Sequence, residues 1–130
     1  MPSSAEHKEK AQQHLDFLHS GSPPPEWAAV VAFYAALHLV ERLCACESLH
    51  IDNHHVRPSW LNKHKKHRTI HADFLALYDA SRVARHGTCS QFKKAYPGDT
   101  VQKQLVNKNL AAIIRHVDLH FQPSATPASP

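Results

Sequence analysis

Residues 27–41 read WAAVVAFYAALHLVE, an apolar stretch that continues to about residue 49 and decides the fold. Trp27, Val30 and Tyr34 follow one another at spacings of three and four, which is the period of an α-helix. The opposite side of this helix is rich in alanine and is therefore apolar as well. Because a helix that is apolar nearly all round must be covered, we expect residues 27–49 to form the buried centre of the domain.

Three further amphipathic segments accompany this central one. We expect helices over residues 5–19, over residues 60–85 and over a last stretch that ends near Phe121. Residues 86–99 contain two glycines and a proline and predict an irregular connection. The sequence therefore predicts an all-α, antiparallel up-and-down bundle of four helices, or of five.

Length and composition predict a single domain. The chain has 130 residues, of which 42% are hydrophobic and 20% charged, and these values are typical of one globular unit. We assign residues 1–122 to this domain. Residues 123–130 read PSATPASP and are expected to be a disordered tail, because nothing in them can be buried.

Charge and cysteine usage indicate a class of partner and a compartment. The formal net charge of +4, with 13 histidines counted as neutral, favours anionic partners. Cys44, Cys46 and Cys89 cannot all pair, and their spacing lacks the second close pair of a zinc ribbon. We therefore expect a cytoplasmic protein. No secretion signal is recognised and no stretch approaches the roughly 20 apolar residues of a membrane span, so no membrane association is expected.

Three strings follow one another along the chain: WAAVVAFYAALHLVE at 27–41, HHVR at 54–57 and YDASRVARH at 78–86. In order and spacing they resemble a group of small bacterial and archaeal helical proteins of the HEPN superfamily. The resemblance implies a bundle that is commonly dimeric. It also implies RNA or nucleotides as ligands, as in RNA-cleaving toxins, and a nucleotidyltransferase as a partner protein. His86 departs from the pattern, which has a tyrosine at that position.

The same residues suggest an anion-binding cleft on physical grounds. The central helix carries a hydroxyl, an imidazole and a carboxylate at i, i+4 and i+7, and buried ionisable groups need partners. Arginines and a histidine from the other two strings supply them. The candidate ligand-binding residues are Tyr34, His38, Glu41, His54, Arg57, Arg82 and Arg85. The alternative is that these groups only pair with one another and fix the register of the helices.

Arg82 and Arg85 are expected to differ in role. Arg82 follows the inward-facing Tyr78 by four residues, so we expect it to be the buried partner of Glu41. Arg85 lies at the helix end, and we expect it to be exposed and to face the ligand.

Catalysis is left open between two classes of function. The first is a binding or interaction module that breaks no bond, and the second is a metal-independent endoribonuclease or nucleotide-processing enzyme. Ribonucleases of the HEPN superfamily use an arginine and a histidine with four to six residues between them, a spacing that chance alone produces often among 13 histidines. The candidate catalytic residues are His54, Arg57, Arg115 and His120. Arg115 and His120 would lie about 140° apart around one helix and would not converge.

The histidines also raise the question of a metal site. His64, His67 and His71 fall at i, i+3 and i+7 and would share one face of the predicted third helix, where imidazoles can bind zinc or nickel. The lysines and the arginine among them would repel a cation, so a solvated basic face is the expected structure. We therefore predict neither a metal nor a cofactor.

A homodimer is expected because a four-helix monomer would leave part of the apolar central helix exposed.

The tail gives the first testable prediction. Deletion of residues 123–130 is expected to leave the thermal midpoint unchanged within error, because nothing in this segment can pack. Thermal unfolding of the full and shortened chains followed by circular dichroism measures the effect, and a drop of several degrees would show that the tail docks on the domain.

Overall fold

A computed structural model describes residues 3–19, 23–47 and 56–122 of the chain. Within these ranges the backbone is helical and contains no strand, so the predicted all-α class is confirmed. The α-helices are α1 (Ser4–His19), α2 (Pro25–Cys46), α3 (Val56–Lys63), α4 (His71–His86), α5 (Cys89–Ala95) and α6 (Ala111–Phe121). A 3₁₀ turn, Arg68–Ile70, precedes α4. The antiparallel order of the bundle stays a prediction, and the predicted tail lies outside the described residues.

The last helix of the chain begins in an unusual form. Val101–Leu110 is a π-helical segment, and it runs directly into α6. At the junction the amide of Ala111 donates to the carbonyl of Val106, five residues earlier, where an α-helix would use the residue four earlier. Together the π-helical segment and α6 supply the long final helix that the sequence predicts.

Helix α2 is the centre of the core, as predicted. It begins at Pro25, whose fixed φ suits the first turn of a helix, and twelve of its 22 residues are buried. Helices α1, α4 and α6 and the π-helical segment all pack against it. These elements bury most of the apolar surface of α2, and the expectation of a homodimer was based on part of that surface being exposed. The homodimer stays a prediction.

The length of α2 corrects one expectation from the sequence. Pro25–Cys46 is long and apolar enough to cross a membrane by length and composition, so the expectation that no stretch reaches this length was wrong. The core helix of a globular domain meets the same criteria, and most of α2 is buried by the rest of the chain.

The predicted third helix is two helices separated by a turn. Helix α3 ends at Lys63, and the amides of His67 and Arg68 then bond to the carbonyl of His64 at 3.1 and 2.9 Å. The turn brings the imidazole of His67 into the interior, where it is only 1% exposed.

The connection predicted to be irregular contains α5. Helix α4 ends at His86, and at the next residue, Gly87, a Cβ atom would lie 2.7 Å from the carbonyl oxygen of Val83. A capping box follows, in which the Gln91 amide donates to the Thr88 hydroxyl (3.1 Å) and the Thr88 amide donates to Gln91 Oε1 (2.8 Å). Phe92 then anchors α5 in the core.

The position of the core gives a matched pair of substitutions. Leu77 on α4 is 0% exposed and Leu119 on α6 is 64% exposed. We expect Leu77→Ala to lower the free energy of unfolding by about 2 to 5 kcal/mol, because it leaves a cavity. Leu119→Ala is expected to change it by less than about 0.5 kcal/mol. Urea denaturation measures both, and equal effects would contradict the described core.

Candidate functional site

The predicted ligand-binding residues do not form one cleft. Tyr34 and Arg85 line a groove of about 410 Å³ between α2 and α4, with the exposed Trp27 beside them. Arg85 is exposed, as predicted, and its Nε donates to the Ser81 hydroxyl at 3.1 Å. Glu26 lines the same groove, so its carboxylate offsets the charge of Arg85.

Arg82 lies away from this groove. Its side chain is 59% exposed and its guanidinium lies 3.7 Å from the Asp79 carboxylate. Glu41 is buried, so the expectation that Arg82 is its buried partner was wrong. The inward-facing residue is Ser81, and one residue along a helix corresponds to a rotation of about 100°, which turns Arg82 to the solvent.

His38 belongs to the contact between α1 and α2. Its Nδ1 lies 3.1 Å from Nδ1 of His7, and its ring stacks on that of His14 with centroids 5.5 Å apart. Burial lowers the pKa of His14, and the charge of Lys10 lowers it further. His38 therefore joins two helices, and it is not among the residues that line the groove of Tyr34 and Arg85.

A second groove brings together cations that the sequence did not connect. Lys8 from α1, Arg42 from α2 and Arg115 from α6 line an open space of about 610 Å³, which we call the basic groove. Asp118 is the one carboxylate among the described residues that line it. Sequence reasoning named Arg115 but missed the other two, because the three residues lie on different helices and share no motif.

Arg42 is the innermost of the three cations. Its guanidinium carbon lies 3.8 Å from the centre of the Phe121 ring, a cation–π contact. Burial lowers the pKa of Arg42, although the negative charge of Asp118 acts in the opposite direction. The guanidinium of an arginine stays protonated in proteins even when it is partly buried, so Arg42 is a cation that has lost part of its hydration.

Arg115 and His120 diverge, as their spacing predicts. Arg115 faces the basic groove, whereas the ring of His120 packs against that of His67 with centroids 5.0 Å apart. The Arg–His pair therefore does not converge on one point. Of the other candidate catalytic residues, His54 lies outside the described residues, and Arg57 lies on α3 at a position whose side chain is not described.

The structure replaces the predicted row of histidines with a different group, which we call the histidine cluster: Glu47, His64, His67, His116 and His120. His64 Nε2 lies 2.8 Å from Glu47 Oε2, and His67 Nδ1 lies 2.8 Å from His116 Nε2. Burial is the main cause that lowers the pKa of His67, to about 4, so its imidazole is neutral near pH 7. The predicted solvated face is therefore wrong for His67.

The members of the histidine cluster come from three parts of the chain. Glu47 follows α2, and His64 and His67 lie in the turn after α3. His71, which was predicted to share a helix face with His64 and His67, is the first residue of α4. It is not one of the three residues, Glu47, His64 and His67, whose potential ligand atoms lie within 4.8 Å of one another. His116 and His120 lie at i and i+4 on α6, a spacing that places both imidazoles on one face of the helix and that is visible in the sequence.

No protein-family model, curated protein or solved structure matches this chain. The resemblance to HEPN proteins therefore stays a prediction, and the chemistry of the basic groove and of the histidine cluster is argued from their own residues.

The contact between α1 and α2 gives a pH-dependent prediction. The pKa of His14 is lower in the folded state than its ordinary value of 6.5, so the unfolded chain binds a proton more readily. The contribution of His14 to stability is complete above pH 6.5 and is lost as the pH falls toward the folded pKa. His14→Gln removes the titrating group, and we expect the variant to lose less unfolding free energy than the parent between about pH 7.5 and pH 5.5. Urea denaturation at both pH values measures this difference, and identical losses would contradict it.

Proposed function

We propose that the protein is a binding module for the phosphate groups of RNA or of a nucleotide, and that the basic groove is its site. The observation that carries the proposal is the convergence of Lys8, Arg42 and Arg115 from three helices on one groove. Holding like charges close together costs free energy, and a bound anion relieves that cost. Such an arrangement favours a ligand that carries more than one negative charge.

The charge balance and the donor types both suit a phosphate ligand. Three positive side chains face one negative side chain, Asp118, among the described lining residues. Guanidinium groups bind phosphate oxygens through two parallel hydrogen bonds, and a lysine adds a mobile point charge. Because burial has removed part of the hydration of Arg42, a phosphate there would replace lost water contacts.

The size and the apolar lining of the groove suit the rest of a nucleotide. Its volume of about 610 Å³ is within the range of small-molecule sites. Ile114, Leu119 and Phe121 lie beside the cations and offer apolar surface for a base or a ribose. The resemblance of the sequence to HEPN proteins points to the same class of ligand, and with it to a homodimer and a nucleotidyltransferase partner.

A binding module fits this groove better than the alternative, a metal-independent endoribonuclease. Metal-independent RNA cleavage uses a general base close to the group that holds the phosphate, and histidine most often plays this role. None of the described residues that line the basic groove is a histidine, and His120 is directed to His67 instead. We therefore propose binding without cleavage.

RNA binding to variants tests the proposal. Fluorescence anisotropy with a labelled single-stranded RNA at about 50 mM salt measures the affinity, and a salt titration measures the number of phosphate contacts. We expect Arg115→Met and Lys8→Met each to weaken binding about tenfold and to lower the salt slope by about one. Arg82→Met and Arg85→Met are the matched controls, because they remove the same charge outside the basic groove, and we expect unchanged affinity.

The controls also decide between the two grooves. A loss of affinity in Arg85→Met with none in Arg115→Met would contradict the proposal and would place the ligand beside Trp27 and Tyr34. Competition by ATP and by inorganic phosphate separates a nucleotide ligand from an RNA ligand. Electrophoresis of the RNA after incubation is expected to show an intact strand, and cleavage would favour the enzyme.

A further inference from the structure

We infer that Glu47, His64 and His67 form a binding site for a divalent transition-metal ion, with Zn²⁺ as the ion that fits it best. One ligand atom from each of the three residues lies within 4.8 Å of the others. Two imidazole nitrogens and one carboxylate oxygen form a donor set that Zn²⁺ uses in proteins, with a fourth position for water. Mg²⁺ and Ca²⁺ prefer oxygen ligands, so the two imidazoles favour zinc over these ions.

The state of His67 is a second, independent observation. This side chain is only 1% exposed, yet its Nε2 has no hydrogen-bond partner among the described residues. Glu47 Oε2 lies 3.9 Å away, which is too far for a hydrogen bond. Buried polar atoms are almost always satisfied. A metal ion bound by Nε2 of His67 and by the Glu47 carboxylate would satisfy both groups.

His116 orients His67 for this role. Nδ1 of His67 lies 2.8 Å from Nε2 of His116. With the proton on Nδ1, His67 donates to His116 and its Nε2 presents a lone pair on the side of Glu47. Imidazoles that bind metals commonly donate their other N–H to a neighbouring group in this way, which fixes the tautomer and the ring orientation.

His64 requires one change of tautomer. Its Nε2 lies 2.8 Å from Glu47 Oε2, and its Nδ1 accepts a hydrogen bond from the Lys66 amide at 3.3 Å. To bind a metal, Nε2 must present its lone pair, so its proton passes to Nδ1 through solvent. This change gives up two interactions, the long contact with the Lys66 amide and the hydrogen bond from Nε2 to Glu47, and bonds from the ion to His64 Nε2 and to the Glu47 carboxylate would replace the second. The imidazole stays neutral throughout.

The surroundings of the site allow an ion to enter. Glu47 and His64 are partly exposed, at 38% and 22% of their side-chain surface, so the fourth position is open to water. Lys63, Lys65, Lys66 and Arg68 lie nearby but are exposed, and solvent screens their charges. The Glu47 carboxylate offsets part of the remaining repulsion. An ion here would join the end of α2 to the turn between α3 and α4.

Zinc binding to chelator-treated full-length protein tests the inference. Calorimetric titration with Zn²⁺ alone measures the stoichiometry and the affinity, and thermal unfolding with and without Zn²⁺ measures the stabilisation. We expect one tight equivalent that raises the thermal midpoint, and no comparable rise with Mg²⁺. Glu47→Gln and His64→Ala are each expected to weaken this equivalent at least tenfold. Both side chains are partly exposed, and circular dichroism confirms that the variants fold.

His71→Ala is the matched control, because His71 is a histidine of the same segment that lies outside the three-residue site. We expect it to bind Zn²⁺ as the parent does. Equal affinity in the parent, Glu47→Gln and His64→Ala would overturn the inference and leave only adventitious binding to surface histidines. A loss in His71→Ala as large as that in His64→Ala would also overturn it, because the ion would then sit on a row of histidines along a helix.

Discussion

The need to bury α2 beneath other helices is the constraint on which the rest of the structure depends. A helix with this many apolar side chains exposes a large apolar surface unless other helices pack on several of its sides, and burial of that surface is the main favourable term in folding. Ala29, Ala32 and Ala36 are fully buried, and such small residues leave room for close helix packing. The few polar residues of α2 must then find partners on the helices that cover it. His38 meets α1, and Arg42 meets Phe121 of α6.

Helix α6 contacts both candidate sites. Arg115 and Asp118 of α6 face the basic groove, whereas His116 and His120 face His67. The alternation follows from the helical period, because residues three or four apart share a face and adjacent residues do not. Any shift of α6 relative to α2 would therefore alter both sites together, which links their geometry although they have different chemistry.

The sequence predicts the parts of this fold that depend on local periodicity. The apolar repeat of α2 and the stripe of α6 are strong enough to identify helices without other information. The break before α4 was missed because His67 reads as a solvated residue among lysines, and only its contact with His116 on a distant helix shows why it is buried. Helix α5 was missed although its Thr88–Gln91 capping signal is local and was available.

The site residues were harder to predict for a physical reason. Sequence spacing reports which residues share a face of one helix, but each candidate site brings together residues from separate parts of the chain. Nothing in the spacing relates Lys8 to Arg115, or Glu47 to His64. Arg82 shows the other source of error, since a displacement of one residue in the inward stripe moves a side chain from the core to the solvent.

The π-helical segment has a consequence for how the chain tolerates changes of length. A π-helix holds more residues per turn than an α-helix, because each of its hydrogen bonds spans five residues where that of an α-helix spans four. Loss of one residue within Val101–Leu110 can therefore be absorbed by a return to α-helical bonding, while α6 keeps its phase against the core. A chain shorter by one residue at this point would then present the same faces of α6 to the basic groove and to the histidine cluster. The segment acts as a length buffer in front of the helix that carries the chemistry.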